Sequence, residues 1–208
     1  MESPICPSGT RLIETLKWDG AKFVRRDRHL ARLRASALAL GFALDEAALA
    51  AALSGIGGSE PRRVRLTLGM TGDFEMTSAS LGTNASEWRA TLAKDRLCSD
   101  DPLLRHKTTE RKLYDRTRAA LPGGMDEALF ANERGEICEG TITSVFFDIG
   151  QGLATPPLRC GCLPGVLRAE MLDSGTCHEA EIHLQDLHRA KLWLGNSLRG
   201  LIPARMTP

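Results

Sequence analysis

The stretch EALFANERGEICEGTITSVFFD, Glu127–Asp148, decides how the second half of this chain folds. Glu127 to Ala131 is a short apolar run that reads as a strand. Asn132-Glu133-Arg134-Gly135 follows as a turn, and Glu136 to about Asp148 reads as the next strand. Glu139 is conspicuous inside it. A carboxylate in an otherwise apolar strand is either exposed on one face or held for a purpose.

Downstream, Gly150 to Gly152 makes another turn, and Leu153 to Thr155 starts a short strand. Beyond Pro156-Pro157, the loop Gly161-Cys162-Leu163-Pro164-Gly165-Val166-Leu167 leads into a helix from about Pro164 or Gly165 to Leu172. A proline suits a first helical turn because its missing donor is not needed there. The chain closes with a strand, Lys191 to Leu194, a Gly195-Asn196-Ser197 turn and a last apolar stretch.

Upstream, Thr108 or Thr109 can cap a helix whose Leu113, Tyr114, Thr117, Ala120 and Leu121 share a face. Cys98 to Arg105 reads as a connector. The first part opens with strands Arg11 to Leu16 and Ala21 to Arg25 around Asp19-Gly20. A helix capped by Asp27 follows, with Leu30, Leu33, Ala37 and Leu40 on one face and Gly41 as its stop. A second helix runs from Asp45 to Gly55. Val64, Leu66 and Leu68 alternate with polar residues, as do Phe74 to Leu81 and then Trp88, Ala90 and Leu92. Two helices on antiparallel strands make an α+β unit ending near residue 95. The expected division is an N-terminal α+β domain over 1–98, a linker over 99–106 and a β-rich C-terminal domain over 107–208.

Bulk composition narrows the function classes. At 208 residues, with 42% hydrophobic and 25% charged residues, the chain is of ordinary globular type. Its 27 basic and 26 acidic residues leave a net charge of +1. No global field steers it to nucleic acid or an anionic membrane, so any anion site is local. The start, MESPICPSGTRLIE, has no apolar signal core, and no run is long enough to span a bilayer. Six scattered cysteines then imply reduced thiols and a cytoplasmic protein. Cys160-Gly161-Cys162 has a shorter spacing than the usual zinc knuckle and lacks a second pair, so no metal is expected.

Three features could carry chemistry. The loop before Val166 would place free helix amides and a dipole at an anion, and Gly195-Asn196-Ser197 offers amides and a hydroxyl. Short glycine loops are also common as ordinary connectors. Lys107 sits in Arg105-His106-Lys107-Thr108-Thr109-Glu110-Arg111-Lys112. Crowded cations disfavour its charged form, as imine chemistry requires, although a solvated basic helix start gives the same pattern.

Taken in order, these segments resemble the class IV aminotransferase family, the fold-type IV pyridoxal-phosphate enzymes. The resemblance rests on His29-Leu30-Ala31-Arg32-Leu33, Lys107 to Arg111, Asp126 to Phe130 and Gly135 to Thr141 through Phe146. Leu153 to Pro157, Leu163-Pro164-Gly165-Val166 with Arg168, and Gly195-Asn196-Ser197 complete it. It implies a two-domain α+β enzyme, homodimeric, with pyridoxal 5'-phosphate as cofactor.

It also implies roles. Lys107 matches the lysine that forms an imine with the cofactor, and Glu139 the carboxylate that keeps the pyridine nitrogen protonated. Arg32 matches the phosphate-binding arginine. The amides of Val166 and Leu167, with Leu163, Gly165, Asn196 and Ser197, match the remainder of the cofactor site.

Within the family, Gly195 to Pro203 and Arg111 resemble the aminodeoxychorismate lyases, which make 4-aminobenzoate for folate synthesis. Branched-chain and D-amino-acid transaminases, or a cofactor-binding scaffold without turnover, are the alternatives. Three departures accompany the resemblance: a shortened N-terminal domain beginning close to Glu14, Leu167 where a threonine is common, and Ser144 where an asparagine is expected.

Overall fold

The computed structural model describes residues 6–83 and 85–207. Residues 1–5, part of the stretch read for a signal peptide, lie outside the described residues. None of the described helices is long and apolar enough to cross a membrane. The chain divides into two compact units.

The first unit runs to Thr83 and also takes in His106–Glu110. Strand β1 (Arg11–Trp18) lies between β2 (Phe23–Val24) and β3 (Arg62–Gly69), and β4 (Phe74–Ser80) pairs with β3; all pairings are antiparallel. Helices α1 (Arg26–Leu40) and α2 (Glu46–Ser54) complete it. Their burial follows the apolar spacing: Leu30, Leu33 and Ala37 are buried on α1, Leu49 and Leu53 on α2. Asp45 caps α2 by accepting from the amides of Ala47 and Ala48, and Gly41 ends α1 at φ 73°. Asp27 does not cap α1. Arg25 occupies that position at φ 56°, and Asp27 falls in the first turn, where its charge suits the dipole.

Residues 106–110 join this unit through backbone pairing rather than by starting a helix. Leu12 and Thr108 form an antiparallel bridge, Ile13 N–H donates to the Lys107 carbonyl at 2.7 Å, and Thr109 N–H donates to the Arg11 carbonyl at 2.9 Å. Thr108 and Thr109 are therefore not helix caps; helix α3 (Lys112–Ala119) begins after Arg111.

The second unit comprises residues 85–105 and Arg111 onward. It holds β5 (Trp88–Leu97), β6 (Glu127–Asn132), β7 (Ile137–Gly140), β8 (Ser144–Asp148), β9 (Ala154–Thr155), α4 (Val166–Asp173), β10 (His178–Glu179), β11 (Lys191–Asn196) and β12 (Gly200–Met206). The sheet order is β10-β9-β8-β11-β12-β5-β6-β7, and β7 pairs back onto β8. Six strands thereby close into a small barrel, which leaves those strands no open edge. Its core holds Trp88, Ala90, Leu129, Ile137, Val145, Phe147, Leu194 and Ile202.

Several boundaries differ from the expectation. Strand β5 pairs with β12 and β6, so it falls in the second unit although the alternation alone placed it in the first. A register shift between Leu92 and Arg96 also breaks its alternation: Leu92 is exposed, while Ala93 and Leu97 are buried. The run Glu136 to Asp148 is two strands, because residues 141–143 turn around the buried Glu127. Pro164 precedes α4 rather than opening it, since Gly165 N–H closes a tight turn onto the Leu163 carbonyl and Gly165 is the N-cap.

Candidate active site

Each unit carries its own part of the predicted set. In the first, Arg32 projects from α1 toward Glu14 of β1. Its Nε donates to one carboxylate oxygen at 2.9 Å and its Nη2 to the other at 2.7 Å. His29 Nδ1 lies 2.5 Å from Glu14 Oε2. Glu14 is 1% exposed. Burial pushes its carboxyl upward, but the Arg32 guanidinium and the hydrogen bonds from His29 and Arg32 outweigh this and bring it down to about 2. A two-point grip of this kind fixes the plane of a guanidinium, as phosphate recognition needs.

Lys107 is half-buried in the segment stitched to β1. Cations near it in sequence have partners of their own. His106 Nδ1 meets Ser36 Oγ at 3.0 Å, and burial pushes its imidazole pKa down. Arg105 donates to the Cys162 carbonyl, and Arg111 to Asp115 and the Thr141 carbonyl.

In the second unit, Glu139 on β7 is 7% exposed and held at both oxygens. Tyr114 on α3 donates its hydroxyl to Oε1 at 2.6 Å, and the Leu163 amide donates to Oε2 at 3.0 Å. The turn that follows β7 hangs on Glu127, which is fully buried. Glu127 accepts from the amides of Thr141 and Ile142 and from the hydroxyls of Thr141 and Thr143, with Arg118 nearby. Gly140 must be glycine here, since a Cβ would sit 2.8 Å from the Glu127 carboxylate.

The two glycine loops come together in this unit. A Cβ on Gly195 would lie 2.8 Å from Leu167 Cδ2 and 2.9 Å from the Gly200 carbonyl, so the β11–β12 turn packs directly on the start of α4. Asn196 shapes that turn: its Oδ1 accepts from the amides of Leu198 and Arg199, and its Nδ2 donates to the Ile142 carbonyl. Ser197 is buried in the turn. Helix α4 has no side-chain N-cap and no acidic residue in its first turn. Ala169 N–H closes back onto the Gly165 carbonyl, which leaves Val166, Leu167 and Arg168 as the amides at the open end.

Tyr114, Glu14 and Glu127 went unnoticed as polar anchors in the sequence. Tyr114 is the single tyrosine of the chain and follows Lys107 by seven residues, which was the available signal. Cys138, Cys160 and Cys162 are buried beside Phe130; burial keeps their thiols protonated, pushing Cys160 and Cys162 up to about 12. All six cysteines are free.

These residues fit the expected cofactor's chemistry. An uncapped eight-residue helix with glycine at its N-cap suits a phosphate, an oriented buried carboxylate suits a pyridine nitrogen, and a half-buried lysine suits imine formation.

Residues 11–206 match the family profile of amino-transferase class IV. A Schizosaccharomyces pombe (strain 972 / ATCC 24843) protein, provisionally named aminodeoxychorismate lyase, is 30% identical over 182 residues, 82% of this chain and 76% of its own. A Mesorhizobium loti structure provisionally described as an amino-acid aminotransferase is 50% identical, with a TM-score of 0.88 over 95% of this chain and 100% of that one. The 4-amino-4-deoxychorismate lyase of Pseudomonas aeruginosa is similar in fold, with a TM-score of 0.77 at 24% identity, over 94% of this chain and 82% of that one.

Proposed function

The chain belongs to the class IV aminotransferase family, a pyridoxal-phosphate-dependent fold, and we propose that it is a 4-amino-4-deoxychorismate lyase yielding 4-aminobenzoate and pyruvate. The observation that carries the lyase reading is the β11–β12 hairpin, Gly195 to Pro203. Its sequence resembles the lyases, and Asn196 locks its turn. The fungal relative's provisional name supports the same choice.

In this reading the family resemblance assigns Lys107 and Arg32, and Glu139 with the amides of Val166 and Leu167 and the Asn196-Ser197 turn, to pyridoxal 5'-phosphate. Bound there, the cofactor supplies an electron sink for cleavage at the substrate's amine-bearing carbon. Arg32 carries positive charge to the phosphate, and its grip on Glu14 keeps the guanidinium from wandering. The α4 amides add donors that cost no reorganisation. Leu163 belongs to this set through its amide, which donates to the Glu139 carboxylate rather than to a phosphate. Glu139 holds the proton on the ring nitrogen. Lys107 Nζ would serve as the base for the proton on the substrate's amine-bearing carbon.

The Mesorhizobium loti likeness favours a second reading, transamination of an amino acid; branched-chain and D-amino acids are the substrates that the sequence resemblance suggests. In that reading Lys107 would still be the base at the substrate's amine-bearing carbon, and the product would be a keto acid. A homodimer in the cytoplasm, without nucleic-acid or membrane partners, completes the proposal. Enzymatically generated aminodeoxychorismate separates the readings. Release of 4-aminobenzoate and pyruvate in equal amounts supports the lyase. Their absence, with turnover of a D- or branched-chain amino acid and a keto acid, overturns it in favour of the transaminase.

A further inference from the structure

We propose that Tyr114 is the positioning residue of Glu139: phenol on one oxygen and the Leu163 amide on the other fix the carboxylate's plane and moderate its charge toward a cofactor ring nitrogen. The inference rests on the cofactor reading of Glu139 given above and assigns a role that the reading does not contain.

The geometry carries it. Tyr114 Oη to Glu139 Oε1 is 2.6 Å and Leu163 N to Oε2 is 3.0 Å, so each carboxylate oxygen has a donor of its own. A glutamate has rotatable torsions that β7 alone, four residues long, does not restrain. The tyrosine ring is itself restrained, meeting Phe130 edge-on with centroids 4.9 Å apart. Leu163 lies on the loop that runs into α4, so the same carboxylate ties helix α3 to the start of the anion-binding loop.

The groups facing the phenol are Glu139 and Cys138 on β7 and Arg111 at the start of its own helix. Arg111 Cζ stands 5.4 Å from the ring centroid. Burial, then the Glu139 charge, push the phenol's pKa far above its ordinary value. Tyr114 therefore stays a donor at any working pH, and the hydrogen bond runs from phenol to carboxylate. An acceptor already engaged by a phenol is less basic than a bare carboxylate. Loss of the phenol thus concentrates negative charge at Glu139.

A core tyrosine that merely satisfies its hydroxyl predicts no link to the cofactor, and two measurements separate the roles. The first uses the protein without cofactor. Because Tyr114 is the chain's single tyrosine, phenolate absorbance at alkaline pH reports it alone. The wild type should resist ionisation until it unfolds, and Glu139→Gln should lower the midpoint by at least about 1 in pH, the scale of a lost charged neighbour. A wild-type midpoint near the ordinary phenol value overturns the pairing.

The second loads wild type, Tyr114→Phe, Glu139→Gln and the double variant with pyridoxal 5'-phosphate and titrates the visible band. Tyr114→Phe should raise the band's midpoint by about 0.5 in pH, because added negative charge favours the protonated form. In the Glu139→Gln background the same change should have no effect, since coupling of this kind is pairwise. No shift, or an equal shift in both backgrounds, overturns the proposal. Absence of a visible band in the wild type instead rejects the cofactor reading on which it stands.

Discussion

Replacing Glu14 with glutamine should remove one of the larger polar contributions to the first unit. Glu14 is buried and faces the Arg32 guanidinium and His29, and its carboxyl is lowered from an ordinary 4.5 to about 2. At about 1.4 kcal/mol per tenfold change, that difference corresponds to about 3 kcal/mol of stability at neutral pH. The figure sits at the lower end of the about 3–5 kcal/mol typical of breaking a buried ion pair by removing one partner. Glutamine keeps the shape but leaves the guanidinium without its counter-charge.

With a urea dependence of about 3 kcal/mol per molar, the unfolding midpoint of Glu14→Gln should fall by about 1 M at pH 7. Trp18, on the strand that carries Glu14, gives the fluorescence readout. The sign of the pH dependence follows from the lowered pKa. The contribution is complete above about 4.5 and is lost as pH falls toward about 2, so the gap between wild type and variant should close across that window. A midpoint change below about 0.3 M, or a gap independent of pH, refutes this account of the triad.

Other substitutions test other parts. Lys107→Ala should abolish formation of 4-aminobenzoate while leaving thermal unfolding within a few degrees of wild type; near-normal turnover sinks the catalytic assignment. Glu127→Gln turns an amide NH2 toward a cluster of donors and should cost about 3 kcal/mol. A fall in melting temperature of about 6–12 °C, read by circular dichroism, is expected from it. Gly195→Ala drives a methyl group into Leu167 and the Gly200 carbonyl. It should weaken pyridoxal 5'-phosphate binding by about tenfold, and an unchanged affinity by equilibrium titration counts against the two loops acting as one seat.

Much of the candidate site was picked out because chemistry-bearing residues stood out locally: Glu139 interrupts an apolar strand, and Gly165 precedes a helix. Asp45 as a cap and Gly41 as a stop were legible for the same reason. What escaped the sequence depends on distant pairing. Residues 106–110 belong with β1 through hydrogen bonds spanning some ninety residues, and nothing local marks them for that unit. The register shift in β5 exchanges which residues face inward, and alternation read forward from Trp88 cannot anticipate it. The reasoning that picked out Glu139 applied equally to Glu14 within Leu12-Ile13-Glu14-Thr15-Leu16 and to Glu127, since each is an acid in a buried strand. Arg32 stood out through the family resemblance; its partners appear only once α1 lies on β1.

The most direct test of the central claim is to load the protein with pyridoxal 5'-phosphate, fix the adduct with borohydride and locate it by peptide mass spectrometry. The account predicts a single modified lysine, Lys107, with none at Lys112, five residues further on. A label on another lysine, or no covalent label at all, contradicts it.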